Sequence, residues 1–181
     1  MEKQTKVDIV PKTMVCLTNP KYPHNVGAAI RACSCWDIDR LVWSGNRVPH
    51  PDEWWDSELS SFRIPREERM KGYKSVELIR TDKFKDLITK GITPVAIEVM
   101  EEAECLFDFE HPENAMYIFG PEDGGLTSNI LQHCHRFVKI PTKHCLNLSC
   151  AINVVLAHRS QQMYQKTGNI LSLVEDRGFI N

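Results

Sequence analysis

The sequence predicts one α/β domain with a mostly parallel sheet flanked by helices, and three observations support this fold class. The chain has 181 residues, a length typical of a single domain. Apolar residues make up 42% and charged residues 25%, as in ordinary globular proteins. A short apolar strand, a helix and another strand follow one another over residues 14–44, and this alternation favours parallel strand pairing.

The first elements are predicted from short apolar runs and from the residues that end them. A buried strand over Met14–Thr18 ends at an Asn-Pro pair. A helix follows over Asn25–Trp36, where alanines give a small apolar surface and Asn25 can act as the N-cap. A second strand over Arg40–Ser44 stops at a Gly-Asn pair, which completes the strand–helix–strand unit.

The remaining elements are predicted in the second half of the chain. Prolines interrupt residues 46–75, so only one short helix, over Glu67–Tyr73, is expected there. The later patterns predict strands over Thr93–Val99, Ala115–Phe119 and Phe137–Ile140, and helices over Lys83–Lys90, Leu126–Cys134 and Leu146–Tyr164. The single domain of residues 1–181 is therefore expected to have its core over about 13–164 and a C-terminal tail over 165–181.

The composition argues against membrane, disulfide-rich and zinc-binding proteins. The chain lacks the apolar run of about 20 residues that a membrane span needs. Its first residues lack the apolar stretch of a signal peptide, so a cytoplasmic location is expected. An odd number of cysteines argues against a disulfide framework, and the two paired Cys-x-x-Cys knuckles of structural zinc sites are absent. Buried free thiols and no bound metal are therefore expected.

The charge is small overall and unevenly distributed. The formal net charge is −2, so the chain is not a globally basic nucleic-acid binder. Residues 98–123 contain no Lys or Arg, whereas residues 134–166 contain no Asp or Glu. Bases also exceed acids over residues 63–90. The two basic stretches could form a phosphate-binding face, although such runs are also typical of an ordinary solvated surface.

Three segments that follow predicted strands carry polar residues and glycines. Ligands in open α/β sheets bind beyond the carboxyl ends of the strands, so these segments are candidates for a site. The first segment is Asn25–Arg31, in which small neighbours leave Arg31 available for a phosphate or another anion. A capped helix with a surface arginine would give the same pattern.

The other two segments are also open to a functional and a structural interpretation. Phe119–Leu126 is a glycine-rich turn in which Glu122 could hold a ligand amine or brace the Arg31 guanidinium, or could belong to a simple acidic turn. Ile140–Ser149 is a strand end, a polar loop and a helix start, at which Asn147 could contact a ligand or simply cap the helix.

Together, and in this order, the segments resemble the signature motifs of the SpoU (TrmH-like) family of the SPOUT superfamily. The first motif, Asn-x-Gly-x-x-x-Arg, is matched by Asn25, Gly27 and Arg31. The second, Gly-x-Glu-x-x-Gly-Leu, is matched by Gly120, Glu122, Gly125 and Leu126. The third, Ile-Pro followed by Ser-x-Asn-(Val/Leu)-Ser, is matched by Ile140, Pro141, Asn147, Leu148 and Ser149. Cys145 stands where the family usually has serine, and the resemblance spans roughly residues 13–164.

The resemblance implies a specific version of the α/β fold and a cofactor. Members form an α/β knot, in which the C-terminal segment threads through a loop to make a deep trefoil. They bind S-adenosylmethionine in the knot, mainly through backbone groups, and they are typically homodimers that share the active site through the first and last helices. By position, the implied cofactor-binding residues are Ile97, Gly120, Glu122, Gly125, Ile140, Cys145, Leu146 and Leu148.

The resemblance also implies a reaction, methyl transfer from the sulfonium of the cofactor to a ribose 2′-hydroxyl of RNA. The implied catalytic residues are Arg31, Asn25, Glu122 and Asn147. A guanidinium does not readily lose a proton, so Arg31 fits a role in orienting the hydroxyl and stabilising its developing negative charge. Asn25 and Asn147 would position Arg31 and the ribose, and the transfer needs no metal.

Several alternatives stay open at the level of sequence. The chain could be an RNA-binding module that keeps the fold without catalysis, or an enzyme that methylates a base nitrogen. The first motif favours the ribose, because it marks the ribose-specific group of the superfamily. With no separate RNA-binding domain evident, tRNA is favoured over ribosomal RNA as the substrate.

Overall fold

The computed structural model describes residues 13–49 and 75–168. Its strands are β1 Thr13–Leu17, β2 Arg40–Trp43, β3 Glu77–Arg80, β4 Thr93–Ile97, β5 Glu104–Cys105, β6 Ala115–Phe119 and β7 Arg136–Lys139. Its α-helices are α1 Pro23–Cys35, α2 Ser128–Leu131 and α3 Leu148–Thr167, and two 3₁₀ turns cover Phe84–Leu87 and Leu106–Asp108. Of the helices in these ranges, none has both the length and the apolar character that crossing a bilayer requires.

The strands form one sheet in the order β3-β2-β1-β6-β4-β7-β5, and every pairing is parallel. The central strands β1 and β6 are buried along their whole length. Alternate residues of β6 face opposite sides: Tyr117 packs in the core under α1 and α3, whereas Met116 and Ile118 pack in the core under α2. Burial on both faces explains why the central strands read as continuous apolar runs, and the predicted α/β class with a mostly parallel sheet is confirmed.

The predictions differ from the structure mainly at the edges of the sheet and in the short helices. Strands β3 and β5 were not predicted, because β3 is an edge strand with charged ends and β5 has only two residues. The helix predicted over 83–90 is only the 3₁₀ turn Phe84–Leu87, and the helix predicted over 126–134 is the single turn Ser128–Leu131. The predicted helix over 67–73 and the tail beyond residue 168 lie outside the described residues.

The cysteines are free thiols in two different environments. Cys16, Cys33 and Cys134 are buried as predicted, but Cys145 and Cys150 are exposed, so the prediction of uniformly buried thiols is wrong. Burial raises the pKa of Cys16 to about 12, which makes this thiol unreactive near neutral pH. Within residues 13–49 and 75–168, no group of three or more His, Cys, Asp and Glu side chains is placed to hold a metal ion.

A buried histidine connects β6 to α3. His111 is 4% exposed, and its ring nitrogens lie 2.6 Å from the Tyr117 hydroxyl oxygen and 2.9 Å from Nδ1 of His158. Burial, followed by the charges of His158 and Arg159, lowers the pKa of His111 to about 3. The folded protein therefore keeps this ring neutral at pH values at which the unfolded chain protonates it.

We expect this histidine to make the folded state sensitive to mild acid. Above about pH 6.5, the ordinary histidine pKa, His111 is neutral in both states and its contribution to stability is complete. Between about pH 6.5 and pH 3 only the unfolded state gains the proton, so stability falls by up to ~1.4 kcal/mol per pH unit from this residue. Urea unfolding from pH 7 to pH 4.5 measures the slope, and His111→Gln, which cannot titrate, should give a shallower one. Parallel curves for the two proteins would contradict the assignment.

Candidate active site

The loops that follow β1, β4, β6 and β7 converge at the carboxyl edge of the sheet and enclose a cavity of about 490 Å³. This volume lies within the range of small-molecule sites. The cavity wall is formed by Tyr22, His24, Asn25, Ile97, Glu98, Val99, Phe119, Gly120, Pro121, Glu122, Gly124, Ile140, Thr142, Cys145, Leu146, Asn147, Leu148 and Ala151. It therefore combines apolar side chains with two carboxylates and two amides.

A chain of hydrogen bonds connects the three motif segments across this cavity. The Asn147 side chain caps α3 by accepting from the Ser149 backbone N–H at 2.9 Å, as one of the open interpretations predicted. Asn147 Nδ2 donates to Asn25 Oδ1 at 3.1 Å, and Asn25 Nδ2 donates to Glu122 Oε1 at 2.5 Å. The other carboxylate oxygen of Glu122 accepts from the Lys21 backbone N–H at 2.7 Å.

Backbone groups at both ends fix the direction of this chain. The Ser149 N–H can only donate, so it forces Asn147 to present its oxygen there and its amide nitrogen toward Asn25. Asn25 must then present its own nitrogen to Glu122, whose carboxylate accepts from Asn25 and from the Lys21 N–H. Because Asn25 is 1% exposed, its amide depends on Glu122 and Asn147 rather than on water for its hydrogen bonds.

Glu98 shapes the glycine-rich loop between Phe119 and Leu126. Its Oε2 accepts from the Leu126 backbone N–H at 2.7 Å. A Cβ at Gly125 would lie 2.9 Å from the same oxygen, so a larger residue there would displace the carboxylate. A Cβ at Gly120 would lie 3.2 Å from the Gly125 carbonyl carbon. The glycines of this segment thus allow the loop to fold closely on itself and on Glu98.

A small ionic cluster lies beside the cavity. Asp123 contacts Arg47 Nη1 at 2.8 Å and Lys21 Nζ at 3.4 Å, which joins the loops after β1, β2 and β6. The hydrogen bond from Arg47, with a further contribution from Lys21, lowers the pKa of Asp123. Both cations are partly exposed, at 43% for the Lys21 side chain and 37% for that of Arg47, so each keeps donors that face solvent beside the cavity.

The structure brings most of the predicted site residues together. Those on the cavity wall are Asn25, Ile97, Gly120, Glu122, Ile140, Cys145, Leu146, Asn147 and Leu148. Gly125 instead lies against Glu98, and Arg31 is exposed on α1, away from the wall. Helical geometry explains the second case, because six residues separate Arg31 from Asn25 and turn it by about 240° around the helix axis.

One local prediction is wrong, and five residues of the wall outside the three candidate segments were missed. Asn25 does not cap α1: Tyr22 occupies the N-cap position, and Asn25 lies inside the helix, bonded to Glu122. Of the open interpretations of Glu122, the structure shows hydrogen bonds from Asn25 Nδ2 and from the Lys21 N–H to its two carboxylate oxygens. The missed residues are Tyr22, His24, Glu98, Val99 and Ala151. Glu98 was placed inside the predicted strand, although an acidic residue at the end of an apolar strand could have marked it as a site residue.

Comparison with known proteins identifies a family for most of the chain. The model of the SpoU rRNA Methylase family matches residues 12–157. The 23S rRNA (guanosine-2′-O-)-methyltransferase RlmB of Neisseria meningitidis is 22% identical, over 88% of this chain and 62% of its own length. The chain spans about half the length of most curated relatives that it matches.

Solved structures share the fold at low sequence identity. The SpoU methyltransferase AviRb from Streptomyces viridochromogenes, in complex with the cofactor AdoMet, is 18% identical with a TM-score of 0.67, over 90% of this chain and 62% of that chain. A protein studied for the 2-OH methylation of C/U34 on tRNA is 21% identical with a TM-score of 0.66, over 88% of this chain and 99% of that chain.

Proposed function

The chain belongs to the SpoU rRNA Methylase family, and on this premise we propose that it transfers a methyl group from S-adenosylmethionine to a ribose 2′-hydroxyl of RNA. The observation that carries the proposal is the hydrogen-bond chain from Ser149 to Glu122, which joins the three motif segments at one cavity. The seven free cysteines fit a reducing compartment, and we place the reaction in the cytoplasm.

The cavity residues fit the proposed cofactor. Ile97, Ile140 and Leu148 offer an apolar surface for the adenosyl group, and the carboxylates of Glu98 and Glu122 suit a ligand with a positive charge. When bound, the cofactor supplies an electrophilic methyl group on its sulfonium. The chain's own contribution is to hold the loops in place before the ligand arrives, which reduces the entropic cost of bringing the reactants together.

The catalytic roles that we propose are those implied by the family resemblance, and the fixed polarity of the network supports the roles of Asn25, Glu122 and Asn147. Asn25 and Asn147 position the ribose side of the cavity, and Glu122 holds Asn25 in its one permitted orientation. Arg31 lies away from the wall of its own cavity, so we assign the contact with the reacting oxygen to Arg31 of a second chain. There its guanidinium stabilises the negative charge that develops as the ribose hydroxyl loses its proton to solvent. The experiment that tests the activity is transfer of a labelled methyl group to RNA from a strain lacking the gene. An inactive RNA-binding module would bind that RNA and transfer nothing.

We expect S-adenosylmethionine to bind with about one molecule per chain and without added metal. Binding to the folded state alone must stabilise it, by about 2.7 kcal/mol at a ligand concentration a hundredfold above Kd. Titration calorimetry gives the stoichiometry, and a thermal unfolding scan gives the stabilisation. Absence of binding heat together with an unchanged Tm at saturating ligand would remove the cofactor from the proposal.

Transfer RNA is the substrate that we favour. In support, a structure studied for the 2-OH methylation of C/U34 on tRNA shares the fold over 88% of this chain and 99% of that chain. Mapping 2′-O-methyl groups in tRNA and ribosomal RNA from a deletion strain decides between the two. Loss of a 2′-O-methyl group from ribosomal RNA alone would show that ribosomal RNA is the substrate.

The register of β7 supports a knotted chain. β7 lies between β4 and β5, which are consecutive along the sequence and are joined by residues 98–103 alone. Val138 of β7 pairs with Ile97 on one side and with Glu104 on the other. Lys139 Nζ donates to the Met100 and Glu101 carbonyl oxygens of the joining loop, at 3.5 and 3.3 Å. We propose that the segment after β7 passes through this loop and forms the trefoil knot of the family.

We expect a homodimer in solution that persists at low micromolar concentration. The helices α1 and α3 pack on the same face of the sheet, where partly exposed Ala151 and Val154 extend the buried apolar surface outward. A second copy covering this surface would also bring its own α1, with Arg31, toward the cavity. Light scattering at several dilutions measures the mass, and a monomer at low micromolar concentration would contradict the expectation.

A further inference from the structure

Two aromatic rings stack on each other at the mouth of the cavity. The rings of Tyr22 and His24 have centroids 5.3 Å apart and planes within 18° of parallel. Both side chains belong to the cavity wall, and Tyr22 is 42% exposed. Phe119, a third ring on the wall, is buried in the core, so the accessible aromatic faces there come from this pair.

The fold itself does not account for these side chains. The backbone of Tyr22 caps the start of α1, because its carbonyl accepts from the Asn25 N–H at 3.0 Å. Its side chain makes no cap hydrogen bond. His24 is also exposed, although it is next to the buried Asn25 in the chain. An exposed aromatic pair beside a cavity is suited to a flat ligand that covers it.

The charges around the pair specify the chemistry of that ligand. Lys21 Nζ lies 5.3 Å from the Tyr22 ring centroid, and with Arg47 it surrounds the single carboxylate of Asp123. A flat ring system next to two partly exposed cations matches a nucleobase whose phosphate lies nearby. Single-stranded RNA is recognised in this way, by bases that stack on aromatic side chains while cations hold the backbone.

We propose that Tyr22 and His24 form a stacking platform for the base of the nucleotide whose ribose is methylated, and that Lys21 and Arg47 hold an adjoining phosphate. The proposal rests on the proposed function. Asn25 is next to His24 in the chain and is one of the residues that we assign to the ribose. Because the base is attached to that ribose, the base would lie near the two rings. Stacking tolerates any base, so the platform positions the nucleotide without selecting its identity.

The adenine of the cofactor is the competing occupant, and the apolar wall argues against it. Ile97 is the last residue of β4, Ile140 follows β7 and Leu148 begins α3, whereas Tyr22 is the N-cap of α1 and His24 lies in its first turn. A platform for the substrate base predicts a change in RNA affinity, and a platform for adenine predicts a change in cofactor affinity. The two occupants are therefore separable by measuring both.

The test uses the full chain with Tyr22→Ala, His24→Ala and the double variant, and with Tyr22→Phe to keep the ring. Phe107→Ala is the matched control, because Phe107 is 67% exposed but lies in the acidic stretch away from the cavity. The measurements are apparent KM and kcat for bulk tRNA and ribosomal RNA, filter-binding Kd for the same RNA, cofactor Kd by calorimetry, and Tm.

We expect each alanine variant to raise the RNA KM and Kd about tenfold, which is typical for loss of one base–aromatic stack. Cofactor Kd and Tm should stay unchanged, Tyr22→Phe should restore most of the RNA affinity that Tyr22→Ala loses, and Phe107→Ala should behave as wild type. Unchanged RNA affinity in the double variant would overturn the platform, and a raised cofactor Kd would assign the rings to adenine. A wild-type protein that methylates no RNA would instead refute the proposed function, and filter binding would still decide the platform.

Discussion

Arg31→Ala is expected to lower the rate of methyl transfer about 10²–10³-fold while leaving the affinity for S-adenosylmethionine nearly unchanged. Arg31 is exposed on α1 and does not lie on the wall of its own cavity, so its removal takes no contact from a ligand held there. Only an interaction that is stronger in the transition state than in the ground state changes the chemical step. The expected decrease in rate is the one typical for loss of a single charged group that stabilises a developing oxyanion.

Single-turnover transfer of a labelled methyl group to RNA measures this rate, with cofactor affinity measured in parallel. Arg31→Lys should recover little, because lysine lacks the planar fork of the guanidinium. Cys145→Ser is the contrasting control: it alters the cavity wall but installs the usual family residue, and we expect wild-type or slightly higher activity. A wild-type rate for Arg31→Ala would remove the assigned role even if the cofactor still bound.

The exposed position of Arg31 also makes the proposed dimer testable through activity. If the partner's Arg31 completes each cavity, mixing Arg31→Ala chains with Asn147→Ala chains should restore activity. Each mixed dimer then has one cavity with an intact Asn147 and an intact arginine from the other chain. If each chain uses its own Arg31, both cavities of a mixed dimer lack one residue and the mixture stays inactive.

The centre of the fold was predictable from the sequence because its signals are local. Strand β1 has four consecutive apolar residues and β6 has five, and burial on both faces of a parallel sheet requires such runs. Strand β3 was missed because an edge strand with charged ends shows neither a continuous apolar run nor a clear alternation. Helix α2 was predicted too long because Leu126 precedes the helix and Cys134 follows it, in a turn closed by the hydrogen bond from the Cys134 N–H to the Leu131 carbonyl.

Most residues of the site could be predicted from the sequence, but the hydrogen bonds between them could not. Three motifs in order place Asn25, Glu122 and Asn147 at strand ends, and parallel strands bring their carboxyl ends to one edge. Which atoms meet depends on contacts between residues about a hundred positions apart, and no local pattern encodes those. Asn25 illustrates the difference: its residue type suggests a helix cap, whereas burial inside α1 turns it toward Glu122.

Glu122→Gln is expected to destabilise the protein by about 2 kcal/mol and to impair methyl transfer, although it replaces one oxygen by one nitrogen. Both carboxylate oxygens of Glu122 accept hydrogen bonds, from the Lys21 N–H at 2.7 Å and from Asn25 Nδ2 at 2.5 Å. Glutamine would turn its amide nitrogen toward one of these donors and leave it unpaired. Asn25 cannot rotate to compensate, because its oxygen already accepts from Asn147, which the Ser149 N–H holds in place.

Thermal and urea unfolding measure the loss, which for a domain of this size corresponds to roughly 4–8 °C in Tm. Asp123→Asn is the matched control, since it makes the same chemical change at the neighbouring residue. Asp123 is an exposed acid that pairs with Arg47 and Lys21 at the surface, and such pairs contribute about 0–1 kcal/mol. Equal losses for the two variants would show that Glu122 is an ordinary surface acid. If the hydrogen-bond chain has only one permitted direction, Glu122→Gln should lose more stability than Asp123→Asn. It should also slow methyl transfer at saturating cofactor.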